Sequence, residues 1–245
     1  HLHPLNYALG LANAADKAGV RIFEDSRVTD YQTGKEVQIN TDKGQVKAKF
    51  MLLACNGYLG DLEPRIAGKI MPINNFILAS EPLSDEVCAR INPQDVAVAD
   101  SKFVINYFKL SADNRLLWGG GENYTAKFPS DIGQFVRKYM LEFYPELSQT
   151  KIDYGWGGTL AITLNRMPFF QRIEPNVFVA QGYSGHGVAM ATLGGKLMAE
   201  AINGTGEGFD VFANMPSPSF PGGTLLRWPG LVAGMLYYSL RERLF

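Results

Sequence analysis

The spacing of hydrophobic positions changes several times along the chain, and each change marks a predicted element. After Pro4, residues Leu5, Ala8, Leu9, Ala12 and Ala15 recur at helical intervals. Pro4 suits a first helical turn, and Gly19 suits the cap that ends it. Residues 20–28, VRIFEDSRV, then have strand character. Residues 33–50 alternate around Lys43-Gly44, which predicts an antiparallel hairpin. FMLLAC, residues 50–55, is a continuous apolar run ending at Asn56-Gly57, as expected of a strand buried on both faces.

From about Pro72 the texture changes. INNFILASEPL, VAVADSKFVINYFKL and RLLWGGGENY read as strands joined by short turns such as Asp113-Asn114, with no clear helix between them. That pattern predicts an antiparallel sheet rather than βαβ units. Residues 131–144 form an amphipathic helix, with Ile132, Phe135, Val136, Tyr139, Met140 and Phe143 on one face and Pro145 ending it. IDYGWGGTLAIT and NVFVAQ return to strand character. GYSGHG interrupts, GVAMATLGGKLMAEAI reads as a helix rich in small residues, and a last helix is expected over residues 231–244. The predicted fold is α/β. It combines a partial dinucleotide-binding domain, residues 1–67 and 153–205, with an antiparallel α+β substrate domain, residues 68–152. Residues 206–245 make a C-terminal tail and helix.

Composition narrows the function. With 46% hydrophobic and 19% charged residues, the 245-residue chain is not intrinsically disordered. Basic and acidic residues number 23 and 24, so no electrostatic footprint for nucleic acid appears. Cys55 and Cys88 make neither a disulfide framework nor a metal-ligand spacing, and a reducing cytoplasm is the expected home. The histidines, His1, His3 and His186, supply no coordination set for a metal. The apolar run over residues 231–240 is too short for a span that needs ~20 residues, so no transmembrane segment is expected.

The most informative stretch is NVFVAQ-GYSGHG-VAMATLGGKLMAEAI. Gly182, Gly185 and Gly187 let backbone N–H groups approach a ligand where a strand meets a helix. The helix N-terminus adds about half a positive charge and suits phosphate, carboxylate or an electron-rich ring oxygen. A plain strand-to-helix connection with helpful glycines stays open beside that reading. A serine hydrolase elbow is disfavoured, because the motif breaks at its fifth position and His186 is only two residues from Ser184.

Several patches together resemble the D-amino acid oxidase family of flavoenzymes, which includes sarcosine and glycine oxidases. They are HPLNYALGLANAADKAGVRIFEDSRV, FMLLACNGYLG, YGWGGTLAITLNRMPFF and NVFVAQGYSGHGVAMATLGGKLMAE, in that order, across residues 1–205. The resemblance implies oxidation of a small-molecule amine by hydride transfer to noncovalent FAD, with imine hydrolysis and reoxidation by oxygen. It implies cofactor contacts at Val28, Ala54, Gly57, Gly182, Gly185, His186, Gly187 and Val188. Free N–H groups at Gly185, His186, Gly187 and Val188 would stabilise charge on the reduced ring. Tyr107, Trp156 and Tyr183 become candidates for an aromatic substrate wall, with core packing as their other reading. His186 is a further candidate for that wall. Arg166 either meets a substrate carboxylate or forms a surface ion pair. The family's amino-acid-using members place an Arg near the position of Leu160, which favours an amine substrate here. No catalytic base is assigned.

The family's opening strand, Gly-x-Gly-x-x-Gly turn and ribose-binding acidic residue are not found in these residues. The chain therefore resembles the C-terminal portion of such an enzyme. Weak or no FAD retention by this portion alone is the expectation, as is self-association through an uncovered sheet edge and apolar face. The alternative is a noncatalytic remnant or subunit that binds no flavin.

Overall fold

A computed structural model describes residues 2–102, 104–121, 123 and 127–244. In chain order the elements are α1 (Pro4–Lys17), β1 (Val28–Gln32), β2 (Val37–Thr41), β3 (Gln45–Ala48), β4 (Met51–Leu53), α2 (Pro64–Ala67) and β5 (Ile70–Pro82). Then come α3 (Asp85–Ile91), β6 (Val98–Ala99), β7 (Tyr107–Leu110), β8 (Arg115–Gly119), α4 (Ile132–Phe143) and β9 (Ile152–Thr163). The chain finishes with β10 (Phe169–Glu174), β11 (Val177–Gln181), α5 (Gly187–Ile202), α6 (Glu207–Ala213) and α7 (Gly223–Leu244). It divides into two compact units. The first comprises Leu2–Pro72 and Leu160–Arg227, the second Ile73–Thr159 and Trp228–Phe245.

The first unit holds two small sheets, β1-β2-β3 and β10-β11-β4. β11 runs antiparallel to β10 and parallel to β4, with Val177 opposite Met51 and Val179 opposite Leu53. Alternation along β11 feeds two cores. Val177 and Val179 join Met51, Leu53, Ile66, Ile70 and Phe169, whereas Phe178 and Ala180 join Leu197 and Met198 of α5 and Phe209 of α6. β4 departs from expectation. It lies at the margin of its sheet, and Leu52 is 38% exposed, so only one of its faces is buried.

Residues 20–28 also depart from expectation. Only Val28 is in a strand, where β1 pairs antiparallel with β2. Residues 20–27 have no partner strand among the described residues, and Val20, Ile22 and Phe23 are exposed. Strand propensity becomes a strand only where a neighbour takes up the backbone hydrogen bonds. α1 forms where its pattern predicts, yet buries no residue.

The second unit holds the predicted antiparallel sheet, in the order β6-β7-β8-β5-β9. Phe76, Leu78, Leu116 and Trp118 pack with Val136 and Met140 of α4. Asp131 caps α4 by accepting from the Gln134 N–H at 2.8 Å. The strand-only reading before residue 98 overlooked α3. Ser84 caps it, and Asp85 and Glu86 occupy its first turn. α6 was also overlooked, and α7 begins earlier than residue 231, carrying Pro229 inside it.

Candidate cofactor and substrate sites

β4 and β11 are parallel, and both end at left-handed turns. After β4 the chain enters a short 3-10 turn, Asn56–Tyr58, with Asn56 at φ 48°. The Asn56 Oδ1 accepts the Gly182 N–H at 3.2 Å, which ties the two turns together. Exposed Ala54 and half-buried Gly57 therefore lie with Gly182 at the carboxyl ends of parallel strands, where open α/β sheets bind ligands.

The turn before α5 is held from below by Ser184, which has φ 50° and is 7% exposed. Its N–H donates to the Ala161 carbonyl at 3.0 Å, and its Oγ accepts the Thr163 N–H at 3.2 Å. A hydroxyl buried in this way is a structural pin, which agrees with setting the hydrolase elbow aside. The His186 N–H donates to the Tyr183 carbonyl at 2.9 Å, so it is not among the free donors. Helical bonding of α5 starts only at the Met190 N–H, which donates to the His186 carbonyl at 3.0 Å. The N–H groups of Gly185, Gly187, Val188 and Ala189 have no acceptor among the described residues. The free row thus gains Ala189, which the sequence reading missed, because helix geometry leaves the first N–H groups of any helix without partners.

The glycines test whether this turn has room for a cofactor. At Gly182, φ 71°, a Cβ would lie 2.7 Å from the Thr163 methyl and 3.3 Å from Phe169, so protein packing demands that glycine. At Gly185, φ 97°, a Cβ would meet nothing within 4 Å. Space lies open above a left-handed glycine beside a row of free donors. This fits an electron-rich ring edge approaching the start of α5. The His186 side chain is exposed and makes no capping bond. Val28 is half-buried in β1, within the separate sheet β1-β2-β3.

The substrate candidates divide between the units. Tyr183 belongs to the first and is a core residue there, 7% exposed among Phe170, Phe178 and Leu197. Burial pushes its phenol up to about 12. Arg166, also in the first unit, is exposed at φ 61° in the turn between β9 and β10. In the second unit, Tyr107 is half-buried on β7 and donates to Asn75 Oδ1, and Trp156 is 44% exposed on β9. Among the described residues no cluster of His, Cys, Asp and Glu could hold a metal, and no helix is long and apolar enough to cross a membrane.

A parallel strand pair ending in a glycine turn at a long helix, with an antiparallel-sheet unit in the same chain, is the layout of a flavin-dependent oxidoreductase. The chain belongs to the FAD dependent oxidoreductase (DAO) family, which it matches over residues 1–201. It is 44% identical, over its whole length, to the gamma-glutamylputrescine oxidoreductase of Escherichia coli (strain K12), covering 58% of that protein. It is 41% identical over 99% of its length to the probable oxidoreductase OrdL of Rhizobium meliloti (strain 1021), covering 56% of it. The chain thus spans little more than half the length of these curated relatives. The fold is that of the glycine oxidase from Geobacillus kaustophilus, with a TM-score of 0.70 at 19% identity over 86% of this chain and 58% of that one.

Proposed function

We propose that this chain carries the flavin-facing turn and the substrate sheet of an FAD-dependent amine oxidase acting on a gamma-glutamylputrescine-like substrate. The observation that carries this reading is the row of free N–H groups beside open space at Gly185, in a chain 44% identical to gamma-glutamylputrescine oxidoreductase. Bound flavin would supply the chemistry, taking a hydride from the carbon beside the amine nitrogen and passing the electrons to oxygen, after which the imine hydrolyses.

The protein's own part is binding and electrostatics. The N–H groups of Gly185, Gly187, Val188 and Ala189, with the α5 dipole, stabilise negative charge that develops on a ring edge. Ala54 and Gly57 line the neighbouring turn, and exposed His186 flanks the open space. Val28 is assigned to the adenine end. Tyr107 and Trp156 offer aromatic surface to an alkyl amine, and Arg166 is the candidate partner for a distal carboxylate. Tyr183 acts from beneath, supporting α5. The free cysteines Cys55 and Cys88 fit a reducing cytoplasm.

No Gly-x-Gly-x-x-Gly occurs in these 245 residues, which favours weak FAD retention by this chain alone. Visible absorption of the purified chain, before and after FAD addition, tests the reading. A flavin spectrum shifted from that of free FAD, then bleached anaerobically by gamma-glutamylputrescine, is the expected result. An unshifted spectrum at saturating FAD favours the noncatalytic alternative.

A further inference from the structure

The last helix, α7, carries an apolar face that no other part of the described chain covers. Met235 is 7% exposed and Leu231 is half-buried, so one side of α7 packs on protein. Pro229, Ala233, Leu236, Tyr237 and Leu240 are exposed, and their intervals of four, three, one and three residues repeat a single helical face. Leu236, Tyr237 and Leu240 are 52%, 61% and 60% exposed. A Cβ on Gly230 or Gly234, beside this stripe, would meet nothing within 4 Å.

Charge decides what such a face suits. Between Asp210 and Arg241 the only charged residue is Arg227, whose guanidinium donates to the carbonyls of Ala67 at 2.7 Å and Ile70 at 3.0 Å. No acidic residue of α7 precedes Glu242. The stripe ends at exposed Arg241, and the run Arg241-Glu242-Arg243 is net positive. An apolar face with a basic end is the pattern of a helix lying in the plane of a membrane surface, with apolar side chains at the acyl boundary and cations at anionic headgroups. The opposite side, which is polar in a free interfacial helix, here faces the protein. Tyr237 adds an apolar ring with a polar tip, suited to the headgroup level. A second copy of the chain fits less well. A stable two-copy interface takes roughly 20–30 residues from each side, and this stripe has five.

We propose that α7 docks this chain on an anionic phospholipid surface, with Leu236, Tyr237 and Leu240 entering the interface and Arg241 meeting the headgroups. The helix lies on the bilayer and does not cross it, and its docking requires no flavin. In the test, the purified chain is sedimented with vesicles of phosphatidylcholine alone and of equimolar phosphatidylcholine and phosphatidylglycerol, at low and at high salt. Most of the chain should pellet with the anionic vesicles at low salt, and high salt should weaken this several-fold. Leu236→Glu with Leu240→Glu should reduce pelleting to the vesicle-free background without lowering Tm, because both positions are exposed. Arg241→Gln should weaken binding about fivefold, the share of one interfacial cation. Leu5→Glu with Leu9→Glu, on α1, should leave vesicle binding unchanged. No pelleting above background, equal pelleting with neutral vesicles, or loss through the α1 pair rather than the α7 pair overturns the proposal. So does a sedimentation-velocity result, without lipid, in which the α7 pair breaks a wild-type dimer while neither form binds vesicles, because the stripe is then a contact between copies.

Discussion

Glu63 is only 4% exposed, yet its surroundings keep it ionised. Arg65 grips both carboxylate oxygens at 2.9 Å and reaches Glu174 at 2.6 Å, while the Tyr31 hydroxyl donates to Glu63. The Arg65 guanidinium, ahead of the Tyr31 bond, holds the Glu63 carboxyl down at about 2 against an ordinary 4.5. A depressed folded-state value means that its stabilisation is full above about pH 4.5 and drains away as pH falls toward 2. Glu63→Gln should cost about 2 kcal/mol at neutral pH and flatten that acid slope. Urea unfolding at several pH values reads both, and an unchanged slope would assign the acid loss elsewhere. The glycines offer a second residue-scale contrast. Gly185→Ala meets only the left-handed backbone cost of about 1 kcal/mol, whereas Gly182→Ala also collides with Thr163 and Phe169. Thermal unfolding should show the larger Tm loss for Gly182→Ala. FAD titration followed by flavin fluorescence should show Gly185→Ala weakening binding, if ring atoms occupy the open space above it. The glycines and Ser184 were legible as a turn. Which N–H groups it leaves free was not, because the His186 N–H is spent on a carbonyl only three residues back, a bond that only the folded turn decides.

At the scale of elements, local signals worked where an element carries its own cap and its own buried stripe. α4 has both, from the Asp131 cap to buried Val136 and Met140. Met140→Ala should cost about 2–5 kcal/mol, because the side chain is fully enclosed and its removal leaves a cavity. Asp131→Ala should cost about 1 kcal/mol. Chemical denaturation of the two variants orders them, and equal losses would mean that α4 contributes little beyond its first turn. α3 was legible in principle from Ser84 followed by Asp85 and Glu86. Its few apolar residues were outweighed by the strand-like run before it. Residues 20–27 failed in the opposite way. Their side chains favour a strand, but strand hydrogen bonds need a neighbour, and sequence pattern does not report where neighbours lie.

For the whole molecule the exposed apolar residues of the first unit carry a prediction. Leu5 and Leu9 on α1 are 61% and 58% exposed, and Phe23 is 69% exposed. Apolar exposure on this scale drives association, so we propose that the chain self-associates. Sedimentation velocity should show concentration-dependent dimers or larger species. Leu5→Glu with Leu9→Glu should shift them toward monomer without lowering Tm, because α1 buries no residue. A monodisperse wild-type monomer would contradict the idea. The sequence by itself determined the family, the period of each long element, the antiparallel character of the sheet around Tyr107 and the glycine turn before α5. All of these are written in side-chain spacing and in local backbone permissiveness, which neighbouring residues along the chain settle between themselves. Only the tertiary structure decided that Tyr183 is core, that β4 buries one face, and that Tyr107 lies over Gly119 with its proton given to Asn75. Those outcomes depend on which distant strand pairs with which, and in what register. Pairing energy is shared between segments far apart in sequence, so neither segment announces it alone.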